Sequence, residues 1–452
     1  MLEVTFVGAA GTVTGSKHLL TADGTHAFVD CGLFQGTDDV RALNDAPLPV
    51  AAHDVRAVIA THGHIDHVGY LPKLVRDGFR GTIYCTPATA ALMRIVLDDA
   101  AHLQQYLAER GFHHERPHAP PPYYDERDVE RTMALVQAKP LDEPIDLPGI
   151  GRVLFRNAGH VIGSAFAIVE VADRRIVFSG DVGRYGRPLL FDPAEIGPAD
   201  VIVCESTYGD RTHPPQPLEE LRAALLRGLE RGGAIVIPAF AVERTQDILY
   251  AIGKLQQRDA RLAALPVHLD SPMAEKVDDL FASFPQAHRP LGDAQPPSFG
   301  CRTLTVHVTT DDSKALNRLS GPHVILSASG MAAGGRVLHH LHNHLADRRA
   351  TVLFVGYQGA GTLGHLLVHG ARSVRIFGDE IHVRAAIEHV EGYSAHADRD
   401  DLRRWLATCT GTPEFFAVHG EPESAAALCA TVSHDLGWHA AVARRGERYR
   451  LA

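Results

Sequence analysis

A chain of 452 residues is longer than a single hydrophobic core usually supports, so we expect two domains. Its composition, 45% hydrophobic and 22% charged, is that of a folded protein, and no apolar run reaches the roughly 18 residues that a membrane span requires. The net charge of −10 argues against the broad basic surface that attracts nucleic-acid phosphates.

The N-terminal stretch predicts antiparallel β structure. Three short apolar runs, LEVTFVG, HLLTADG and HAFVDCG, are separated by glycine turns. The first residues lack the basic and apolar segments of a signal peptide, and the six cysteines are scattered without a C-x-x-C pair. We therefore expect a cytoplasmic protein with no membrane partner, no disulfide framework and no thiolate metal site.

Four apolar strand-like runs end directly before a histidine or an aspartate. They are VRAVIA before THGHIDH, RVLFRN before AGHVIG, RIVFSG before Asp181, and EFFAV before HGEPE. Continuous apolar runs suit strands that are covered on both faces. We expect the ends of these strands to place the polar side chains along one edge of the sheets.

The motif THGHIDH supplies His62, His64, Asp66 and His67 within six residues. His62 and His64 alternate out of a turn and can bind one metal, while Asp66 and His67 can face a second. Imidazole and carboxylate ligands without thiolate suit Zn²⁺, with Mn²⁺ as the alternative. The competing interpretation is a fortuitous histidine-rich turn.

A site for two metals needs more ligands than one turn supplies. His160, Asp181 and His419 each follow a strand-like run, although His160 or Asp181 taken alone could be structural. Two metals roughly 3.5–4 Å apart can hold a hydroxide and clamp the attacking and leaving oxygens of an in-line displacement. The predicted ligands of the first metal are His62, His64 and His160; those of the second are Asp66, His67 and His419; Asp181 bridges them.

The proline-rich segment HHERPHAPPPYYDERD (113–128) is predicted to be an excursion or lid whose histidines are solvated. From about residue 208 onward, strand–loop–helix units begin. GAIVIPAF, PVHLDSP, HVILSASG and TVLFVGYQ each precede a helical pattern. This alternation predicts a doubly wound parallel sheet.

The loops after these strands lie where helix N-termini offer N–H groups to anions, so a polyanionic substrate is favoured. The candidate phosphate contacts are Arg244, Ser271, Ser329, Gly330 and Arg336, and helix capping explains these residues equally well. GAGTLG (359–364) satisfies a dinucleotide-binding pattern, but a loop lining a nucleic-acid cleft is the preferred interpretation. The histidines of HHLHNH (339–344) are expected on a solvated surface rather than in a third metal site.

THGHIDH, AGHVIGS and FSGDVG resemble successive metal motifs of the metallo-β-lactamase fold, and Asp30 in FVDCG matches its first motif. ESTYGDR, IPAFAVERTQ, DSPMA, SASGMAAGGR, GYSAHAD and AVHGE resemble the β-CASP branch, whose members process nucleic acids. The resemblance covers nearly the whole chain. It implies an α/β protein in which an αββα metallo-β-lactamase sandwich (1–207 and 386–452) carries an inserted β-CASP domain (208–385). Asp30 would position the metal-binding turn.

The resemblance also implies a substrate. The three β-CASP motifs correspond to Glu205, His396 and His419, and a histidine at the last position is typical of members that act on RNA. The pattern is most similar to bacterial and archaeal ribonucleases akin to the pre-mRNA 3′-end-processing endonuclease. We therefore expect a metal-dependent ribonuclease that hydrolyses phosphodiester bonds of single-stranded RNA, endonucleolytically, with two Zn²⁺ ions.

In the expected mechanism, a hydroxide held between the metals attacks phosphorus, and His396 donates a proton to the leaving oxygen. Asp66 belongs to the catalytic set as a ligand, and Glu205 would orient His396 and favour its protonated form. The alternative for His396 is a packed core histidine.

Three rival functions remain open at this stage. They are a DNA-acting β-CASP nuclease, a small-molecule hydrolase on the same scaffold, and a catalytically silent subunit. A silent subunit should have lost metal ligands, whereas this chain keeps all seven. The sequence leaves open the physiological RNA, a 5′-exonuclease mode, zinc versus manganese, and whether the chain forms a homodimer.

Overall fold

The computed structural model describes residues 2–110, 121–171, 173–359 and 361–451. These residues form two compact units, Met1–Thr212 with His396–Ala452, and His213–Ala395. The second unit is therefore an insertion into the sequence of the first. The predicted domain limits at 207/208 and 385/386 stay predictions. Half of the predicted excursion at 113–128, residues 113–120, lies outside the described residues, and the buried Tyr124 lies inside them.

The strands follow the apolar runs of the sequence. In chain order they are β1 (Leu2–Phe6), β2 (His18–Ala22), β3 (Thr25–Val29), β4 (Val55–Ile59), β5 (Thr82–Cys85), β6 (Val136–Ala138), β7 (Pro144–Leu147), β8 (Gly151–Asn157), β9 (Ala165–Val171), β10 (Arg174–Phe178), β11 (Gly197–Pro198), β12 (Val201–Glu205), β13 (Ala234–Pro238), β14 (Val267–Asp270), β15 (Leu304–Val306), β16 (His323–Ser327), β17 (Thr351–Val355), β18 (Ser373–Ile376), β19 (Asp379–His382), β20 (Ala386–Val390), β21 (Cys409–Thr410), β22 (Glu414–Val418), β23 (Ala440–Val442) and β24 (Arg448–Leu451).

The helices alternate with these strands. They are α1 (Asp38–Arg41), α2 (Ile65–Val68), α3 (Leu71–Arg76), α4 (Pro87–Arg110), α5 (Glu126–Met133), α6 (Pro217–Arg231), α7 (Arg244–Arg258), α8 (Pro272–Ser283), α9 (Thr310–Leu316), α10 (Arg336–His344), α11 (Leu363–Val368), α12 (Arg399–Leu406) and α13 (Pro422–Thr431). Within the described ranges, none of them is both long and apolar enough to cross a bilayer.

The first unit contains two seven-stranded sheets. One has the order β24-β1-β2-β3-β4-β5-β6, antiparallel from β24 to β3 and parallel from β3 to β6. The other has the order β23-β22-β12-β10-β9-β8-β7, antiparallel from β7 to β10 and parallel from β10 to β23. The predicted antiparallel N-terminal strands are confirmed.

The two sheets share one core, and helices cover their outer faces. Phe6 of the first sheet and Phe155, Phe178 and Phe416 of the second belong to the same buried cluster. Burying each such ring contributes on the order of 1.5–3 kcal/mol. Apolar residues of α3 and α4 pack on one outer face and those of α12 and α13 on the other. The layers are thus helix, sheet, sheet, helix, as the αββα expectation requires.

The second unit is built on a six-stranded parallel sheet of order β15-β14-β16-β13-β17-β20. The helices α7, α8, α10 and α11 follow β13, β14, β16 and β17, so the four predicted strand–loop–helix units are confirmed. A β18–β19 hairpin is antiparallel.

Candidate metal centre

The strand ends of the first unit bring the predicted ligands together. His62 and His64 follow β4 of one sheet, whereas His160, Asp181 and His419 follow β8, β10 and β22 of the other. All these residues except His64 are at least 97% buried. Polar groups buried to this degree require partners, so their convergence indicates a specific polar site rather than a chance cluster on the surface.

Four donors form a first group. Donor atoms of His62, His64, His160 and Asp181 all lie within 4.8 Å of one another. Nδ1 of His64 is 3.1 Å from Nε2 of His62 and 3.3 Å from Nε2 of His160. Oδ2 of Asp181 is 3.4 Å from Nε2 of His62 and 3.4 Å from Nε2 of His160.

A second group lies on the other oxygen of Asp181. Nε2 of His419 is 3.3 Å from Nε2 of His67 and 3.3 Å from Oδ2 of Asp66. Oδ1 of Asp181 is 3.3 Å from Nε2 of His67. Asp181 thus presents one oxygen to each group, which is the arrangement expected of a bridging carboxylate.

The spacing of these atoms fits a metal ion. Atoms about 2.0–2.2 Å from a zinc ion at the corners of a tetrahedron lie roughly 3.3–3.6 Å apart. The observed separations of 3.1–3.4 Å are close to this range. Imidazole nitrogens that face each other at such distances, around a buried carboxylate, form a group that could hold a metal ion. The set contains only nitrogen and oxygen donors, which suits zinc or manganese.

The protonation of the first group also suits a metal. Burial lowers the pKa of His62, and the nearby His67 lowers it further. Burial and His62 lower the pKa of His64 to about 3, and burial and His396 hold the pKa of His160 well below its usual value. These histidines are therefore neutral near pH 7, the form in which imidazole offers a lone pair.

Asp30 hydrogen-bonds to the turn that carries the candidate ligands of THGHIDH. Its Oδ1 accepts from the backbone N–H of Thr61 at 2.8 Å, and its Oδ2 accepts from Thr61 Oγ1 at 2.8 Å and from His67 Nδ1 at 2.7 Å. Burial works against the protonated ring of His67, but the carboxylates of Asp181 and Asp30 outweigh burial and raise its pKa. With Nδ1 donating to Asp30, Nε2 of His67 faces the ligand group.

Backbone contacts clamp the same turn, and sequence reasoning missed them. The carbonyl of Asp66 accepts from Ser16 N at 2.8 Å, and that of His67 accepts from Cys31 N at 2.7 Å. A Cβ on Gly32 would lie 1.6 Å from the Asp66 carbonyl oxygen. A glycine after the aspartate of FVDCG was the only sequence signal for this close approach.

Thr207 is a second missed residue. Its hydroxyl lies 3.1 Å from Nδ1 of His419 and 3.1 Å from the His419 carbonyl. The threonine therefore contacts and orients His419, a predicted ligand that is distant in sequence. Its position within ESTYGDR was the available signal.

His396 lies against Glu205 beside the first group. Nδ1 of His396 is 3.1 Å from Oε1 and 3.2 Å from Oε2 of Glu205, and 3.9 Å from Oδ2 of Asp181. Oε1 of Glu205 also accepts from Val182 N at 2.7 Å, which fixes this fully buried carboxylate. Burial opposes the charged form of His396, but Glu205 and Asp181 raise its pKa to about 9.

His396, Glu205 and Asp181 also have donor atoms within 4.8 Å of one another. The side chain of His396 is 21% exposed, whereas that of Glu205 is 0% exposed. This geometry fits a histidine that a carboxylate holds in place while one side of the ring stays accessible. The expectation that Glu205 and His396 form a pair agrees with it.

The predicted phosphate contacts lie in the second unit, and each has a structural partner. Ser271 caps α8 by accepting from Ala274 N at 3.2 Å, and Ser329 Oγ accepts from Ala333 N at 3.3 Å. Arg244 is buried and donates to the Val355 carbonyl. Gly330 packs on Phe240, where a Cβ would lie 2.9 Å from the ring. Substrate contact by these residues stays a prediction.

Arg336 donates to Oδ1 of Asp270 at 2.7 Å, and His340 lies 2.6 Å from Oδ2 of the same carboxylate. His340 and Asp270 are both fully buried. The expectation that the HHLHNH histidines form solvated surface is therefore wrong for His340. Helical periodicity turns this residue inward, and the buried charge of Asp270 gives it a partner.

Three family models match the chain. The Metallo-beta-lactamase superfamily model matches residues 14–239, the Beta-Casp domain model matches residues 245–367, and the Zn-dependent metallo-hydrolase RNA specificity domain model matches residues 380–443.

Known proteins resemble the chain over most of its length. Ribonuclease TTHA0252 of Thermus thermophilus is 41% identical over 430 residues, covering 93% of this chain and 94% of the relative. Transcription termination factor FttA of Methanosarcina mazei is 28% identical over 451 residues, covering 95% of this chain and 69% of the relative. A solved structure, of a protein of unknown function from Enterococcus faecalis, covers 100% of both chains at 13% identity with a TM-score of 0.52, a likeness of fold alone.

Proposed function

The chain belongs to the metallo-β-lactamase superfamily and, within it, to the β-CASP branch, and from this membership we propose that it is a metal-dependent ribonuclease. The observation that carries the proposal is the paired ligand group around Asp181, which occurs in a chain 41% identical to a ribonuclease. Both features are needed, because the scaffold alone hosts several hydrolase chemistries.

The metal ligands follow from the two groups. One ion would be held by His62, His64 and His160. The second ion would be held by Asp66, His67 and His419, and both ions would be held by Asp181. We propose zinc, with manganese as a substitute, because the donor set lacks thiolates. Bound ions would supply a nucleophile at neutral pH and neutralise charge on the phosphoryl oxygens.

The remaining task is protonation of the leaving 3′ oxygen. His396 is the proposed general acid, since Glu205 holds its Nδ1 and stabilises its protonated ring. The proton would come from Nε2. Glu205 is a positioning residue, because it acts through His396.

We further propose that the substrate is single-stranded RNA, cut internally, and that the protein is cytoplasmic. The free state of all six cysteines supports a reducing compartment. The histidine at position 419, where members acting on RNA typically carry one, supports RNA over DNA.

Incubation with end-labelled RNA and DNA oligonucleotides of one sequence, with Zn²⁺ or Mn²⁺, tests the function. Internal RNA fragments are expected from the natural protein and none from an Asp181→Ala variant. Cleavage of DNA without cleavage of RNA would overturn the substrate assignment. Equal cleavage by the variant would overturn the metal assignment.

A further inference from the structure

Two aromatic side chains face solvent at the carboxyl edge of the parallel sheet in the second unit. Phe240 is 39% exposed and Tyr357 is 50% exposed. Each is the second residue after its strand, β13 for Phe240 and β17 for Tyr357. These strands are parallel, hydrogen-bonded neighbours, so the two loops leave the same edge of the sheet. Ligands of parallel sheets bind at this edge.

The loop that carries Phe240 is tied down locally. The Phe240 carbonyl accepts hydrogen bonds from Thr245 N at 3.1 Å and from Thr245 Oγ1 at 2.8 Å. Gly330, in the loop after β16, packs on the Phe240 ring and backbone, where a Cβ would lie 2.9 Å from the ring and 3.0 Å from the Phe240 nitrogen. The ring is therefore exposed on a constrained backbone.

The loop that carries Tyr357 is braced by the next residue. Gln358 is buried, and its Nε2 donates to the carbonyls of Gly330 at 3.1 Å and Gly356 at 3.3 Å. Gln358 thus joins the loop after β17 to the loop after β16. A loop held in this way loses little conformational freedom when a ligand binds.

Arg244 links the two loops to each other. Its guanidinium donates to the carbonyl of Val355 at the end of β17, and its Cζ lies 5.9 Å from the centre of the Phe240 ring. A Cβ on Gly356 would lie 2.2 Å from Arg244 Nη1. Arg244, a candidate phosphate contact in the sequence, therefore ties the end of β17 to the loop that carries Phe240.

We propose that Phe240 and Tyr357 are base-stacking residues that bind nucleobases of single-stranded RNA. This inference rests on the proposed ribonuclease function. A chain with a net charge of −10 gains little from general attraction of phosphates. Stacking on an aromatic face supplies affinity that does not depend on charge and accepts any base.

Binding of a fluorescently labelled RNA oligonucleotide is the first test, in a His396→Ala background that slows cleavage. Phe240→Leu and Tyr357→Leu are each expected to raise Kd about 5- to 150-fold, the range for one lost base stack. Phe240→Tyr and Tyr357→Phe keep an aromatic face and are expected to bind as the parent does. Phe377→Leu is the matched control, because Phe377 is a 41% exposed aromatic residue outside these loops.

Abasic substitutions along the oligonucleotide give a second readout. In the parent protein, loss of the base that stacks on Phe240 weakens binding, and in Phe240→Leu the same abasic site has no further effect. Thermal unfolding is the control for folding: both leucine variants should unfold at the parental temperature. If folded leucine variants bind RNA as tightly as the parent does, the stacking role is refuted. Failure of the natural protein to cleave any RNA would instead refute the proposed function.

Discussion

Nδ1 of His396 lies 3.1 Å from Oε1 of Glu205, a carboxylate that is 0% exposed. Glu205 is fixed in turn by the backbone N–H of Val182, which immediately follows the candidate bridging residue Asp181. The chain therefore couples the position of its candidate proton donor to the position of its candidate metal bridge. A change at Glu205 or Asp181 should therefore affect both metal binding and proton donation.

His396→Ala should lower kcat for RNA by about 10²- to 10⁴-fold, the usual contribution of a general acid. Its effect on bis(p-nitrophenyl) phosphate should be much smaller, because p-nitrophenolate departs without a proton. Steady-state kinetics on both substrates measures the difference. An equal loss on both would contradict the proton-donor role.

Metal content separates proton donation from ligation by His396. Elemental analysis of purified His396→Ala should give the same metal-to-protein ratio as the natural protein. Asp181→Ala should lose metal from both groups, since its two oxygens face one group each. A variant of His396 that lost one ion would reassign this residue as a ligand.

Asp30→Asn should weaken metal affinity by about 10- to 100-fold, the usual effect of removing the partner that orients a ligating histidine. The amide can still accept from Thr61, but it no longer offers a carboxylate to His67 Nδ1. Competition with a chelator measures the affinity. Asp54→Asn, at an exposed position, is the matched control. Equal affinities of the two variants would remove Asp30 from the supporting contacts.

The sequence predicts the local part of this site better than the long-range part. THGHIDH lies on one turn, so its spacing alone predicts candidate metal ligands. The convergence of His160, Asp181 and His419 depends on which strands pair, and strand pairing is set by contacts far apart in sequence. The family resemblance implied the αββα sandwich, but it gave no order of strands within the sheets.

Backbone contacts leave the weakest trace in a sequence. The hydrogen bond from Ser16 N to the Asp66 carbonyl involves no side chain, and any residue but proline can make it. The error at His340 has a similar origin. Helical spacing shows which face a histidine occupies, but it does not show that Asp270 lies across from that face.

A buried carboxyl in the second unit predicts how stability depends on pH. Asp278 lies on α8, is 0% exposed, and accepts from Gln246 Nε2 at 2.7 Å. Burial raises its pKa well above the usual value of 3.8; the bond from Gln246 opposes this shift, and the charges of Asp279 and Glu275 reinforce it. The folded chain therefore keeps a proton that the unfolded chain releases near pH 4. The stabilisation from this proton is complete below pH 4 and is lost as pH rises toward the folded pKa, by up to about 1.4 kcal/mol per pH unit.

Asp278→Asn should remove that loss, because the amide stays neutral at every pH. The advantage of the variant over the natural protein should be smallest near pH 4.5 and grow toward pH 8, measured as the difference in thermal unfolding temperature at fixed metal concentration. Asp293→Asn is the matched control, since Asp293 is exposed in the same unit and does not contribute to the pKa shift of Asp278. Metal binding also depends on pH, but it affects all three proteins alike and cancels in the difference. A constant difference across this range would show that Asp278 titrates normally in the folded protein.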